Sequence, residues 1–437
     1  MRLRASAEKL IGPLTIDALA NGGKGITRDN GRVIFVSGAF PGDIVRCRLH
    51  KEKKNYAEGE VAELLQPSPL RRTPPCPVAD ECGGCQWQQL PYAEQLRWKR
   101  QLFADTLIRQ VGIAADQILP IQPAEQEFGY RSRVQVKCFS APDGFVTGFF
   151  RPQSRFVVAV EECPLMPPEL NLLLAKFRNV LASSLYADKG RQIDLAIGSD
   201  SSTRAVVHYL GEKKEELAAL LVPVAKSAGC ALAIQAGRKN SLRLVHGDGE
   251  LQISVDHPEI QLNYAAGGFA QINLKQNQKL VQAVVAAADL SGQERVLDLY
   301  CGMGNFSLPL ARRAASVVGV EDFTPSIEMA RRNALKNRIG NTAFHAMPAE
   351  QVFSSFSDDF DLLVLDPPRA GAFSLVNQLQ QHPIKKIIYV SCDPQTLARD
   401  LKVLLHNGYR LISTQAFDMF PQTYHVESLS VLEYSAV

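Results

Sequence analysis

Hydrophobic and polar positions change rhythm several times along the chain. Up to residue 66, short apolar runs at 14–16, 32–36 and 43–49 are separated by turn signals at Asn21-Gly22-Gly23, Asp29-Asn30-Gly31 and Pro41-Gly42. Evenly spaced short strands predict a small all-β barrel. A Pro- and Gly-containing loop with three cysteines follows from 67 to 89. Leu96, Leu102, Phe103, Leu107 and Ile108 then fall at helical spacing within 92–111. From about 121 to 265, β-like runs (132–139, 144–150, 156–160, 192–197, 203–209) alternate with helical stretches near 167–184 and 212–228. That pattern predicts an α+β unit with a largely antiparallel sheet.

From about 270 strands and helices alternate. The strands are expected at 295–300, 316–320, 360–365 and 385–390, the helices near 273–289, 306–314, 325–338 and 394–407. The strands are continuous Val/Ile/Leu runs without polar alternation, as in sheets covered on both faces. The fold class expected is therefore α/β, with a barrel at 1–66, a central α+β domain at 67–265 and a doubly wound, Rossmann-like domain at 266–437. In such a sheet, ligands sit at the carboxyl ends of the strands.

Those ends carry the candidate chemistry. The strand ending at Tyr300 runs into Cys301-Gly302-Met303-Gly304-Asn305-Phe306, with Asp298 just ahead of the glycines. Position 307 is Ser, so the dinucleotide pattern G-x-G-x-x-G is absent and a nicotinamide enzyme is disfavoured. Glu321 ends the next strand, 23 residues after Asp298, where a carboxylate can accept both hydroxyls of a ribose. The combination fits S-adenosylmethionine. The third strand ends in Asp366-Pro367-Pro368-Arg369. Amino-methyltransferases often place an aromatic residue after Asp-Pro-Pro to stack the base, and Arg369 in that place favours methylation at carbon.

The fourth strand ends Ser391-Cys392-Asp393-Pro394. Taken alone, a strand-end cysteine is more often a small buried hydrophobe. At this edge, beside a helix start expected to favour the thiolate, Cys392 reads as a nucleophile. Carbon 5 of uracil attacks a methyl sulfonium poorly until a thiolate adds to carbon 6. A base must then remove the carbon-5 proton. Glu427, just before the last strand, is the candidate, against a plain exposed turn, with His425 as a competitor. Cytosine carbon-5 enzymes carry two cysteines on adjacent strand ends, whereas here only Cys392 is so placed.

Composition narrows the remaining choices. With 46% hydrophobic and 21% charged residues the chain has an ordinary globular make-up. No apolar run approaches the roughly 18 residues of a membrane span. Residues 1–9 lack the apolar core of a secretory signal, so a cytoplasmic protein is expected. The net charge is only +3, so charge alone identifies no nucleic-acid partner. Lys51, Lys53 and Lys54 do cluster with Tyr56, either as a nucleic-acid contact or as a solvated hairpin tip. Of the nine cysteines, Cys76, Cys82 and Cys85 form a C-x5-C-x2-C set, and Cys163, followed by Pro164, comes 78 residues later. Four thiolates suit zinc or an iron–sulfur cluster, and three near plus one distant Cys-Pro leans to the cluster. Cys47, Cys138 and Cys230 read as structural, and Cys301 receives no role.

Taken in order, these motifs, with Phe269-Ala270-Gln271-Ile272-Asn273, resemble the RNA 5-methyluridine methyltransferase family, in particular its bacterial 23S ribosomal RNA branch. The resemblance covers nearly the whole chain. It implies a TRAM-type (OB-like) barrel and a [4Fe-4S] cluster on Cys76, Cys82, Cys85 and Cys163. It makes Cys392 the nucleophile and Glu427 the base. Gln271, Tyr300, Asn305, Glu321 and Asp366 would contact S-adenosylmethionine, with Asp366 near the uracil and Phe269 stacking on a flipped base. The helical segment near 91–119 would fold onto the catalytic domain. Two departures stand out: Ala346-Met347-Pro348 lacks the usual adenine-contacting Asn, and Tyr300 replaces the usual Phe. The expected partner is RNA, most specifically 23S ribosomal RNA, with no DNA or membrane, bound by a monomer. A transfer-RNA uracil-5-methyltransferase and a non-catalytic RNA-binding or redox-sensing iron–sulfur protein are the competing readings.

Overall fold

The computed structural model describes residues 9–142, 144–237, 241–356 and 359–435. The expectation about the first nine residues lies, but for Lys9, outside them. Strands β1–β6 (Lys9–Thr15, Ala18–Leu19, Gly25–Asp29, Arg32–Ser37, Ile44–Glu52, Tyr56–Gln66) form one sheet in the order β1-β5-β6-β4-β3-β2. The sheet curls so that β1 also packs on β3, closing around Ile16, Ile34, Val36, Val45 and Cys47. Gly59 permits the tightest approach, since a Cβ there would lie 2.5 Å from Cys47 Sγ.

The central sheet runs β13-β12-β11-β10-β7-β8-β9, built from Arg133–Ala141 (β7), Gly144–Phe150 (β8), Val157–Ala159 (β9), Gly190–Ile197 (β10), Thr203–Tyr209 (β11), Cys230–Ala236 (β12) and Leu242–His246 (β13). All its pairings are antiparallel except β11 with β12. After α1 (Tyr92–Val111), helices α2 (Pro168–Ala182) and α3 (Lys214–Ala228) cover one face. There Val134, Val136, Ile193 and Leu195 pack with Phe177 and Leu221.

The expected boundary at 265 needs correction. Strands β14 (Glu250–Ser254) and β15 (Gln261–Ala265) form a hairpin of their own, and Leu251, Ile253, Leu262 and Tyr264 bury in one core with Leu280, Val284 and Ile327 of the C-terminal part. The hairpin alternates apolar and polar residues like the strands before it, so sequence gives no cue about which sheet it joins.

The C-terminal sheet contains Arg295–Leu299 (β16), Ser316–Glu321 (β17), Thr342–Ala346 (β18), Leu362–Leu365 (β19), Lys386–Ser391 (β20), Tyr409–Phe417 (β21) and Glu427–Tyr434 (β22), in the order β18-β17-β16-β19-β20-β22-β21. The first five are parallel, and β22 runs antiparallel to both β20 and β21. Connections leave β16 in opposite directions, so the crevice between β16 and β19 is the switch point where such sheets bind ligands. Helices α4–α9 (Leu274–Ala288, Ser307–Ala311, Thr324–Lys336, Val352–Ser355, Phe373–Gln378, Pro394–His406) flank it. Helix α1 joins this layer, burying Phe103 and Leu107 with Leu397 and Leu401 of α9. Among the described residues, no helix is long and apolar enough to cross a membrane.

Candidate active site

The parallel strands deliver their ends in register: Leu299 lies opposite Val320 and Leu365, and Leu365 opposite Tyr389. Beyond β16 the chain turns sharply. Tyr300 (φ 63°), Gly302 (φ 55°) and Gly304 (φ 95°) all take left-handed backbone. Strand β16 therefore stops at Leu299 rather than at Tyr300, and a non-glycine residue held in this region is a strain found mostly at functional sites. A Cβ on Gly302 would meet nothing within 4 Å, so glycine there serves the turn and leaves its backbone open to a ligand.

Carboxylates ring this turn. Asp298 is fully buried, one oxygen accepting from Ser307 Oγ and the other without a partner among the described residues. Burial, then the Asp366 and Glu321 charges, push its carboxyl up to about 7. Glu321 ends β17 with Oε1 accepting from Phe323 N (3.0 Å). Asn305 is tied to α4 by a reciprocal amide pair with Asn277, 2.9 and 3.0 Å. Gln271 is buried in the segment that leads to the α4 cap, where Asn273 Oδ1 accepts from Gln276 N. In the 346–348 stretch, Met347 N donates to the Glu321 carbonyl (3.1 Å). Tyr300, Glu321 and Asp366 thus stand at the carboxyl ends of neighbouring parallel strands, with Asn305 in the turn after β16 and Gln271 on the segment that leads into α4.

The antiparallel end of the sheet supplies the second half of the site. Ser391 pairs with Ser428 in the β20–β22 ladder, and Ser428 Oγ donates to the Ser391 carbonyl (3.0 Å). One step further out, Cys392 and Glu427 face the same edge. Asp393 caps α9, its Oδ1 accepting from Gln395 N (2.9 Å) and Thr396 N (3.1 Å). Glu427 is no exposed turn residue: it is 3% exposed, and its Oε1 has no partner among the described residues. Burial and then the Asp366 charge raise its carboxyl well above the usual range, against the pull of Arg369. Burial likewise raises Asp366 to about 7.

The start of α9 is one of several influences on Cys392, and burial is the largest. Burial, followed by the Glu427 and Asp366 charges, pushes this thiol up to about 11. Enclosure among acids outweighs a helix terminus, which contributes only about 0.3–1 kcal/mol. His425, the rival base, is pushed down to about 4 by burial and by Arg369, so it is neutral near pH 7.

Cys392 opens into a cavity of about 250 Å³ lined also by Arg369, Lys99, Leu102, Tyr424, His425 and, from the N-terminal sheet, Asn21 and Gly22. Asn21-Gly22 is visible in sequence only as a turn, and Lys99 only as a helix position. Gly23, next to it, lies flat on Tyr424, since a Cβ there would come within 2.7 Å of Tyr424 Cδ1. Tyr424 and His425 rings lie 4.1 Å apart. Phe269 does not line this cavity; it is 63% exposed beside Arg133.

The loop between β21 and β22 that carries Tyr424 and His425 is clamped from several sides. Lys99, fully buried, donates to Asp418 Oδ1 (2.6 Å) and the Phe420 carbonyl (3.0 Å). Gln422, buried with φ 70°, accepts at its carbonyl from Gln86 N (3.1 Å) and Trp87 N (3.0 Å) and at its side chain from Gln95 and Arg72. Sequence periodicity carries no sign of this hub.

Gln86 and Trp87 continue the cysteine loop. Cys76, Cys82, Cys85 and Cys163 line one small cavity with Arg131 and Phe149, and all four are free thiols. Burial raises Cys82, Cys85 and Cys163, Cys85 to about 12, and the thiols also raise one another while Arg131 opposes. Among the described residues no group of three or more His, Cys, Asp or Glu side chains forms a ready site for a metal ion. The three cysteines read as structural, Cys47, Cys138 and Cys230, are buried in β5, β7 and β12.

A family model described as tRNA (uracil-5-)-methyltransferase matches residues 92–435, and a TRAM domain model matches residues 13–62. The 23S rRNA (uracil(1939)-C(5))-methyltransferase RlmD of Vibrio parahaemolyticus is 35% identical over 425 residues, covering 96% of this chain and 95% of the relative. The enzyme of that name from Alkalilimnicola ehrlichii is 34% identical over 432 residues, 97% and 96% of the two chains. Among solved structures, the Pyrococcus abyssi tRNA (uracil-54, C5)-methyltransferase in complex with S-adenosyl-L-homocysteine is similar at a TM-score of 0.75 and 27% identity, over 96% of this chain and 99% of that one.

Proposed function

Since the chain belongs to the tRNA (uracil-5-)-methyltransferase family, we propose that it methylates carbon 5 of one uridine in 23S ribosomal RNA through a covalent bond to Cys392. The single observation that carries the mechanism is the β20–β22 register, which sets Cys392 and Glu427 side by side next to Asp366. Tyr300, Asn305, Glu321, Asp366 and Gln271 hold S-adenosylmethionine, which when bound supplies the electrophilic methyl group. The open Gly302 backbone and the carboxylates at the switch point fit a ligand with ribose hydroxyls and a cationic centre.

Cys392 gives up its proton to the ionised Asp366 beside it, which leaves Glu427 ionised for the later step, and Sγ bonds to carbon 6 of the flipped uracil. The electrons of the 5,6 double bond move toward carbon 5 and oxygen 4, making carbon 5 the nucleophile. After carbon 5 is methylated, Glu427 takes its proton. The C–H electrons restore the double bond as the S–C6 bond breaks. A carboxyl held well above its usual range is suited to that proton.

The four-cysteine cavity supports a [4Fe-4S] cluster. Four thiols around one cavity, those of Cys76, Cys82, Cys85 and Cys163, equal in number the thiolates such a cluster takes. Its role here is structural, bracing the loop that continues into Gln86 and Trp87. The protein acts as a cytoplasmic monomer.

The test is methylation by purified, anaerobically prepared protein of 23S ribosomal RNA and of transfer RNA, followed by mapping of the modified base. Methyl transfer to 23S RNA alone is expected. Transfer to transfer RNA alone would favour the other reading, which the Pyrococcus likeness supports. Assay of iron and sulfide on the same sample checks the cluster, and one zinc per chain without iron would remove it.

A further inference from the structure

In the β21–β22 ladder Phe417 pairs with Glu427, so Asp418 is the first residue beyond the partner of the base. There it meets Lys99 of α1, which donates to Asp418 Oδ1 (2.6 Å) and to the Phe420 carbonyl (3.0 Å). Both side chains of the pair are sealed from solvent. The Asp418 backbone is held too, its N–H donating to the Gln122 carbonyl (2.9 Å). Removing two charges from water costs more than their attraction commonly returns, and an apolar pair of similar size is often as stable. Stability alone is thus a weak reason for this pair.

Its place in the fold supplies a better one. Glu427 is buried, and its Oε1 has no partner among the described residues, so its carboxyl is aimed by its backbone. The helix that grips Asp418 also braces the other half of the site. Phe103 and Leu107 of α1 pack with Leu397 and Leu401 of α9, and α9 is capped by Asp393, the residue after Cys392. One helix therefore stands behind both the nucleophile and the base. Lys99 is the side chain through which it holds the second.

We propose that Lys99 and Asp418 are positioning residues for Glu427, their ion pair pinning the end of β21 to α1 and so setting the base at a fixed distance from Cys392. The proposal deepens the reading of Glu427 as the group that takes the carbon-5 proton and rests on it for its effect on turnover. Bond formation by Sγ and methyl transfer precede that proton's removal. Loss of the pair should therefore slow product release and spare methylation.

Lys99→Met alone leaves Asp418 buried without its cation and should destabilise the fold. Lys99→Met/Asp418→Leu makes both positions apolar and should melt near the wild-type temperature. In single-turnover assays on a 23S RNA fragment, that double variant should methylate within about threefold of wild type and release product about ten- to a hundredfold more slowly. A covalent protein–RNA band should accumulate. Equal slowing of both steps, or wild-type release, would overturn the proposal. Lys99 also borders the Cys392 cavity, so Asp418→Asn, which leaves Lys99 in place, separates positioning from direct contact. It should show the same band in smaller amount, and a band confined to the Lys99 variants would overturn the proposal.

A second measurement needs no RNA. The Glu427 charge helps to raise the Cys392 thiol. Between pH 8 and 10, iodoacetamide should alkylate Cys392 of the apolar double variant about three- to tenfold faster than in wild type. The same two changes made in Glu427→Gln protein should alter the rate by less than about twofold. Equal acceleration in both backgrounds would mean a generally loosened cavity and would overturn the proposal. The two readings fail separately. If the wild-type protein methylated no RNA, the role of Glu427 as base would fall, while the alkylation cycle would still decide whether Lys99 and Asp418 place it.

Discussion

On the N-terminal sheet, Arg46 faces Glu63 at 3.0 Å, Arg48 faces Glu60 at 3.5 Å, and Arg32 faces Glu52 at 2.8 Å, all partly open to water. At the carboxyl edge of the C-terminal sheet, Asp298 and Glu427 are buried, and each leaves an oxygen without a hydrogen-bond partner among the described residues. The first arrangement exchanges solvation for weak, screened attraction and changes little. The second holds carboxyls where ionisation costs much, and protein interiors accept that mainly where the charge is used. Position relative to solvent, rather than the number of charges, separates a stabilised surface from a reactive one.

The contrast breaks most severely at Cys392. Cys392→Ala should abolish methylation and leave RNA binding intact, as read by methyl incorporation and anisotropy. In the free protein, the rate of Cys392 alkylation by iodoacetamide should keep rising with pH toward about 11, whereas an ordinary thiol levels near about 8.5. A plateau near neutrality would mean that enclosure by acids does not govern this sulfur. Glu427→Gln should still accept the methyl group but release product about 10²–10⁴-fold more slowly. A covalent protein–RNA band on denaturing gels should then accumulate.

Asp298 sharpens the comparison on the stability side. Its folded value lies above its unfolded one, so the burden of ionising it is absent below about pH 4, grows as pH rises through about 7, and is constant above. Asp298→Asn should therefore stabilise the ligand-free protein by about 2 kcal/mol at pH 8 and by almost nothing at pH 4, measured by denaturant melts. The smallest effect belongs to the surface. Glu63→Ala should cost about 0.5 kcal/mol or less, and the difference should vanish in high salt.

Much of this architecture is legible in local pattern. The short strands between turn signals in the first 66 residues, the apolar parallel strands, and helices such as 92–111 follow from local spacing, because turns punctuate the chain and burial of one face or two leaves a trace in it. The strand-end motifs at 298–306, 366–369 and 391–394 are legible for a related reason, since a parallel sheet delivers all its ends to one edge. The remainder is non-local. Lys99 looks like a solvated helix position until Asp418, 319 positions away, is placed against it. The hairpin at 250–265 has strand periodicity but no mark of which sheet it joins. Tyr300 ends an apolar run, yet its left-handed backbone follows from the turn rather than from its own preference. At Cys392 the nearby helix start is visible in sequence, whereas enclosure by Glu427 and Asp366 depends on an antiparallel return strand.

The Gln422 hub joins segments that lie far apart in the chain. Its carbonyl and side chain are gripped by Gln86, Trp87 and Gln95, the last 327 positions earlier in the chain. One glutamine therefore ties the loop after the cysteines, the long helix α1 and the turn that carries Tyr424 and His425 into a single support. Loosening any one of the three slackens the wall of the cavity at Cys392.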